Sequence, residues 1–324
     1  MSSYLSYLAR LLLGGLSLAS LAAFASRWHW VLDLFHHFVV FYVAASVLAL
    51  ILLLATDRRR KAWVVLALAL ILGHGWRLMP AFFPSAAPAP LPPEAENQGS
   101  RRLQVVFANV LAGRADPRLL DFLEREDPDL FALAEVGPPF KPVLERLRRR
   151  WPYAFQRLRT DNYGLAVFSR WPMDEVEDLR IDGLVPSFAF QWRLPEQTVQ
   201  VIASHPPPPM SSSHAARRNL HLEAFAKLGR QHNPSLLLGD LNVTPWSPHF
   251  RDLLAEGGWR QARNGFGLTP TWSPRRFPWP LLPIDHVLYR GPWKVLDFRV
   301  GPKNRSDHRP IQAFFELSIP EPGQ

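Results

Sequence analysis

Leu236-Leu237-Leu238-Gly239-Asp240-Leu241-Asn242-Val243-Thr244-Pro245 decides how the chain is read. Three leucines followed by glycine and a carboxylate predict a short buried strand ending on a polar turn, with Gly239 letting the backbone turn tightly. Asp240 and Asn242 stand two apart, so on extended backbone both side chains point to one side. A carboxylate beside an amide is a useful chemical pair. One group orients or deprotonates water, and the other donates to an oxyanion.

Other apolar segments end in the same way. Segment 103–110 carries Asn109 near its end, 130–134 runs into Glu135, and 199–204 runs into His205. With Asp240 and, later, Asp307-His308, the chain shows five such polar ends. A single polar strand end serves equally well as a turn former or a cap. Five of them, rich in Asp, Glu, Asn and His, predict side chains gathered at one sheet edge, where sites are assembled. Further strands are expected at 165–168 and 188–193, and helices at 117–125, 142–149 and 215–230. Alternating short strands and helices indicate a mixed α/β or α+β domain with packed sheets. His286 follows Asp285 and alternates to the opposite face, which makes it structural. His214, His221, His232 and His249 read as surface residues.

The composition is uneven. Residues 1–83 are dominated by apolar side chains and contain three stretches, about 4–25, 34–55 and 62–83, near the roughly 20 residues that a spanning helix needs. Arg10 and Arg77 interrupt the first and third, where they can snorkel to an interface. Residues 84–100 are proline-rich, an extended and stiff spacer. Residues 101–324 read as a soluble domain. The basic run Asp57-Arg58-Arg59-Arg60-Lys61 places that loop in the cytoplasm by the positive-inside rule. Three spans then put the soluble domain on the extracytoplasmic, periplasmic side of an inner membrane. Ala23-Phe24-Ala25-Ser26 resembles a signal-peptidase site, and cleavage there would leave two spans with the same topology for the domain.

The chain has no cysteine, which excludes disulfides, thiolate metal ligands and a cysteine nucleophile. Its net charge of +9 suits anionic substrates or an anionic membrane surface, and equally a basic surface kept for solubility. The loop from Thr271 to Leu282 is aromatic, basic and proline-rich. It suits base stacking, insertion among lipid headgroups, or simple self-packing.

Gly239-Asp240-Leu241-Asn242, Ile284-Asp285-His286-Val287 and Ser306-Asp307-His308-Arg309-Pro310-Ile311, in this order and with an upstream strand-ending Glu135, resemble the endonuclease/exonuclease/phosphatase (DNase I-like) superfamily. The resemblance spans about 103–317 and points to a membrane-anchored, bacterial-type member. It implies an α+β, four-layer αββα sandwich and hydrolysis of phosphate esters. It implies that Asn109, Glu135 and Asp307 form the metal site, that Asp240 and Asn242 handle water and phosphate, and that Asp285 orients the catalytic His308. His205 is implied to donate to the phosphate. Two positions depart from the pattern: Leu111 stands where some nucleases carry an acid, and Arg305 where a glycine often precedes Ser-Asp-His. Oxygen ligands suit a hard cation, so Mg²⁺ is expected, with Mn²⁺ as a substitute. The expected partners are a lipid bilayer and a phosphate ester, either nucleic acid, phospholipid or a small molecule. No protein partner is inferable. The competing expectation is a non-catalytic membrane protein whose soluble domain binds an anionic ligand.

Overall fold

A computed structural model describes residues 2–56, 61–84, 99–111, 116–274, 277 and 281–319. Residues 57–60 of the basic loop, 85–98 of the linker, and Arg275, Arg276 and 278–280 of the aromatic loop lie outside the described residues.

The chain opens with α1 (Ser2–Phe24), α2 (Trp30–Leu34), a 3-10 turn (Phe35–Phe38), α3 (Val39–Thr56) and α4 (Lys61–Phe82). Two six-stranded sheets follow. The first has the order β11 (Trp293–Val300), β12 (Ile311–Ser318), β1 (Ser100–Asn109), β2 (Leu130–Ala134), β4 (Leu165–Ser169), β3 (Tyr153–Arg157). The second runs β5 (Met173–Asp178), β6 (Ser187–Arg193), β7 (Thr198–Ser204), β8 (Ser235–Asp240), β10 (Asp285–Arg290), β9 (Arg260–Gln261). Within each sheet one central pair, β1–β2 or β7–β8, is parallel. Helices α5 (Pro117–Glu126) and α6 (Lys141–Arg148) accompany the first sheet, and α7 (Ser212–Gln231) and α8 (Pro248–Gly257) the second. This is the expected α+β sandwich.

Strand periodicity explains the layering. Leu130, Ala132 and Ala134 of β2 face the core between the sheets, and Phe131 and Leu133 face α5 and α6. In β8, Leu236 and Leu238 face inward while Leu237 packs with α7 and α8. Strands apolar on both faces are what a central position in a covered sheet requires. Gly239 has a different role from the expected turn. It lies within β8, and a Cβ there would collide with the Ser204 carbonyl oxygen of β7. The residue with positive φ is Asn242 at 50°.

Three helical stretches, Ser3–Phe24, Trp30–Thr56 and Lys61–Phe82, are long and apolar enough to cross a membrane. Leu18, Leu21, Ile51, Leu54, Val65 and Leu72 point outward from them. The second begins four residues earlier than expected and takes in Asp33. That carboxylate is buried with Arg218 of α7, N···O 2.7 Å, and accepts from Ser247 Oγ at 2.8 Å. His37 Nδ1 meets Thr244 Oγ1 at 2.9 Å, and Arg77 donates to the Trp246 carbonyl at 2.8 Å. The helices therefore sit directly on the segment that follows Asp240 and Asn242.

Candidate active site

The site grows out of the inward-facing register of its strands. Val105 and Phe107 of β1 line the core between the sheets, and Asn109 continues their side. Val201 and Ala203 lead to His205, and Leu236 and Leu238 lead to Asp240. Asp285 precedes the inward Val287 and Tyr289, and it pairs in register with Asp240. Four side chains from both sheets thus cap one end of the same apolar core. All four are nearly or fully buried, as are Glu135 and His308. His286, of opposite parity, packs on Phe250 and bonds the Val243 carbonyl through Nε2 at 2.8 Å.

Asp240 is the centre of the cluster. Its Oδ2 accepts from Asn109 Nδ2 at 3.1 Å and lies 3.5 Å from both His205 Nε2 and His308 Nε2. Its Oδ1 accepts from the Asn242 backbone N–H at 3.1 Å. Asn109 Nδ2 also donates to Glu135 Oε1 at 2.9 Å, while its Oδ1 accepts from Leu111 N at 3.0 Å. In this arrangement Asn109 aligns two carboxylates through its N–H₂ group. Acting as a metal ligand would require the opposite amide orientation. Asn242 Nδ2 donates to the Pro206 carbonyl at 2.9 Å, so its side chain ties the loop after β7 to the loop after β8.

His308 Nδ1 faces Asp285 Oδ2 at 2.9 Å and Oδ1 at 3.1 Å. Asp285 is itself fixed by the Thr271 hydroxyl, and Arg263 donates to its carbonyl. These two supports were missed in the sequence, although Thr271 opens the aromatic loop quoted there. Asp307 sits on the His308 side. Its Oδ2 accepts from Trp272 Nε1 at 3.3 Å, and its Oδ1 is buried with no hydrogen-bond partner among the described residues. His205 Nδ1 is likewise buried and unpartnered.

The electrostatics follow from burial. Burial first, then the nearby Asp285 charge, pushes the Asp240 carboxyl up to about 6 against the opposing pull of His308, His205 and Asn109. Burial works against the His308 imidazolium. Asp285, then Asp240, the Asp285 hydrogen bond and Asp307 overcome it and raise His308 to about 10. The site thus favours a tightly held proton on Asp240 and the charged, Asp285-oriented form of His308.

Three of the seven non-glycine residues with positive φ among those described flank the site. Leu111, Glu135 and Asn242 all have positive φ, at 57°, 63° and 50°, and each closely follows a site strand. Such conformations cost about 1–3 kcal/mol each and cluster at functional sites. Asn tolerates the left-handed region best.

By chemistry the carboxylates expected at the metal suit a hard divalent cation. Glu135 and Asp307 offer carboxylate oxygens, and Asp307 Oδ1 is a buried acceptor with no partner among the described residues. Ligand atoms of Asp240, Asp285 and His308 also lie within 4.8 Å of one another. Asp285 and His308 already satisfy each other, however, so that trio is better explained as an oriented imidazole beside a carboxylate.

A fold of two packed sheets with a His, Asp and Asn cluster at one end defines the class. The Endonuclease/Exonuclease/phosphatase family model matches residues 106–308, and the chain belongs to that family. A comparison with curated proteins finds no match. Among solved structures the chain resembles an endonuclease/exonuclease/phosphatase from Beutenbergia cavernae (22% identity, 67% of this chain and 72% of that one, TM-score 0.56). It also resembles D. rerio TDP2 complexed with single strand DNA product (17%, 66% and 98%, 0.55). A third likeness is to the Neisseria 3' phosphatase NExo bound to a product DNA hairpin (19%, 65% and 98%, 0.54).

Proposed function

We propose that this protein is a membrane-anchored, divalent-metal-dependent hydrolase of phosphate esters. The observation that carries the reading is the convergence on Asp240. One buried carboxylate oxygen faces Asn109, His205 and an Asp285-oriented His308 from two sheets. A module that only binds anions would not need a carboxylate held up near pH 6 beside an oriented imidazole. Family membership supports phosphate esters as the substrate class.

Each residue has a role in this reading. Asp240, ionised above pH 6, positions a water and takes its proton. His308, held by Asp285, donates from Nε2 to a nonbridging phosphate oxygen and steadies its developing charge. His205 donates to the same group from the other side. Asn242 sets the loop that carries these groups, and Asn109 keeps Glu135 and Asp240 in register. Glu135 and Asp307 would hold the metal, with Mg²⁺ as the expected ion and Mn²⁺ as its substitute. When bound it supplies Lewis-acid charge at the phosphate. The three apolar helical stretches cross the bilayer, with their Asp33, His37 and Arg77 ends docked on the domain, the site on the extracytoplasmic side of an inner membrane, and residues 84–100 linking the two parts.

The substrate is a nucleic acid, a phospholipid or a smaller phosphate ester. The relatives with DNA product in their structures favour testing DNA first. Full-length protein purified in detergent is assayed on plasmid DNA, RNA, phospholipids and bis-p-nitrophenyl phosphate, with Mg²⁺, Mn²⁺ or EDTA. Metal-dependent turnover of at least one substrate, lost on Asp240→Asn, is expected. Turnover of none would favour the non-catalytic binder.

A further inference from the structure

A cavity of about 410 Å³ opens where the helices meet the domain, and its lining shares no residue with the catalytic cluster. Its size falls within the roughly 300–1,000 Å³ of small-molecule sites. α1 and α4 both pack on α3 and touch each other little, which leaves a groove between them. One end of the cavity is apolar, with Ala69, Leu70 and Gly73 of α4 along it. A Cβ at Gly73 would meet nothing within 4 Å, so this wall has room beside it.

The other end is cationic. Arg27, Arg77 and Arg251 all line it, and no lining side chain among the described residues is acidic. Arg27 is already held by Asp252 through two hydrogen bonds. Arg77 is half-buried, and its hydrogen bonds go to neutral acceptors, His36 Nδ1 at 2.7 Å and the Trp246 carbonyl. Arg251 is exposed, comes from α8, and repels Arg77. His74, buried further along α4, bonds Ser20 through Nε2 at 2.8 Å, and its Nδ1 has no partner among the described residues. Two like charges facing one cavity, one of them partly desolvated, are stabilised by an anion between them. The adjoining wall is apolar and continues the membrane-facing surface. Basic pockets between membrane helices hold lipid headgroups in this way.

We propose that this cavity binds one anionic glycerophospholipid, with its phosphate between Arg77 and Arg251 and an acyl chain along Ala69, Leu70 and Gly73. The proposal rests on the membrane placement of α1 to α4 and not on the catalytic reading. A bound lipid would clamp α1 and α4 to α8 and so fix the docking of the helices on the domain.

Native mass spectrometry of the delipidated full-length protein in neutral detergent tests it, with dioctanoyl phosphatidylglycerol as probe. Dioctanoylglycerol, which lacks the phosphate, and glycerol phosphate, which lacks the chains, are the parallel arms. One phosphatidylglycerol per chain is expected, with neither parallel probe matching its affinity. Arg251→Ala and Gly73→Trp should each weaken binding about tenfold or more, the loss expected for one charge-assisted hydrogen bond or for a filled cavity. Equal affinity for glycerol phosphate would make this a free-anion site and overturn the lipid assignment. Unchanged binding in Arg251→Ala, or no bound phosphatidylglycerol at all, would overturn the site. Arg251 is exposed, so its truncation leaves the fold intact and decides the matter even if Gly73→Trp fails to fold.

Discussion

Asp33→Ala removes one half of an ion pair whose two side chains are each 1% exposed. Arg218 is left as a buried guanidinium with no carboxylate, and Ser247 Oγ loses its acceptor. Breaking a buried pair by removing one partner costs about 3–5 kcal/mol. A domain of this size shifts by about 2–4 °C per kcal/mol, so a fall of roughly 6–20 °C in unfolding temperature is expected. The double variant Asp33→Leu with Arg218→Met removes both charges and should recover much of that fall, because no unpaired charge stays buried. The effect should reach the active site. Arg218 Nη1 donates to the Asn242 carbonyl at 3.3 Å, so hydrolysis by Asp33→Ala should drop even below its unfolding temperature. Tryptophan fluorescence melts in detergent, read as a double-mutant cycle, measure the coupling. A single variant that melts within about 1 °C of wild type, or a double variant no better than the sum of the singles, would refute the claim that this pair fixes the helices to the domain.

Three further outcomes are expected. In EDTA, Asp240→Asn should melt higher than wild type at pH 8 and alike at pH 4. The folded state holds the Asp240 proton more tightly than the ordinary value of 3.8, so its stabilising share is complete below pH 4 and is lost as pH rises through about 6. The two pH units correspond to about 3 kcal/mol, and melts that stay parallel across the range would count against this. Gly239→Ala should destabilise by separating β7 from β8 at Ser204, read as a lower melting temperature, and an unchanged melt would contradict that packing. Glu135→Gln should weaken Mg²⁺ binding measured by calorimetry while keeping the melt within a few degrees, and wild-type affinity would remove Glu135 from the metal site.

The central strands were legible because they are apolar on both faces and end abruptly in polar residues. β2 coincides with the segment expected from its sequence, and Asn109, Glu135, His205, Asp240, Asp285 and His308 come together at one end of the sandwich. Edge strands were not legible. β5 is exposed and acidic, and β3 is only half-buried, so neither carries the apolar run that marks a strand. α8 was missed as well, since its Ser-Pro start reads equally well as a turn. His221 was expected at the surface and is instead fully buried, between Ser187 Oγ at 3.1 Å and Asp182. Its helix α7 packs several polar residues inward, Arg218 among them, which obscures the usual one-sided pattern. Asp33 carried a signal that went unread: a lone carboxylate beside an apolar span is costly and needs a partner. That partner lies 185 residues away, a pairing no local pattern encodes.

The most direct test of the account is turnover of bis-p-nitrophenyl phosphate and DNA by the full-length protein, with Mg²⁺ and with EDTA, in wild type, Asp240→Asn and His308→Ala. The account predicts hydrolysis that requires the metal and falls by about 100-fold or more in each variant, the share expected for a positioned acid–base group. Hydrolysis that persists in EDTA, or that survives in full in either folded variant, would contradict it.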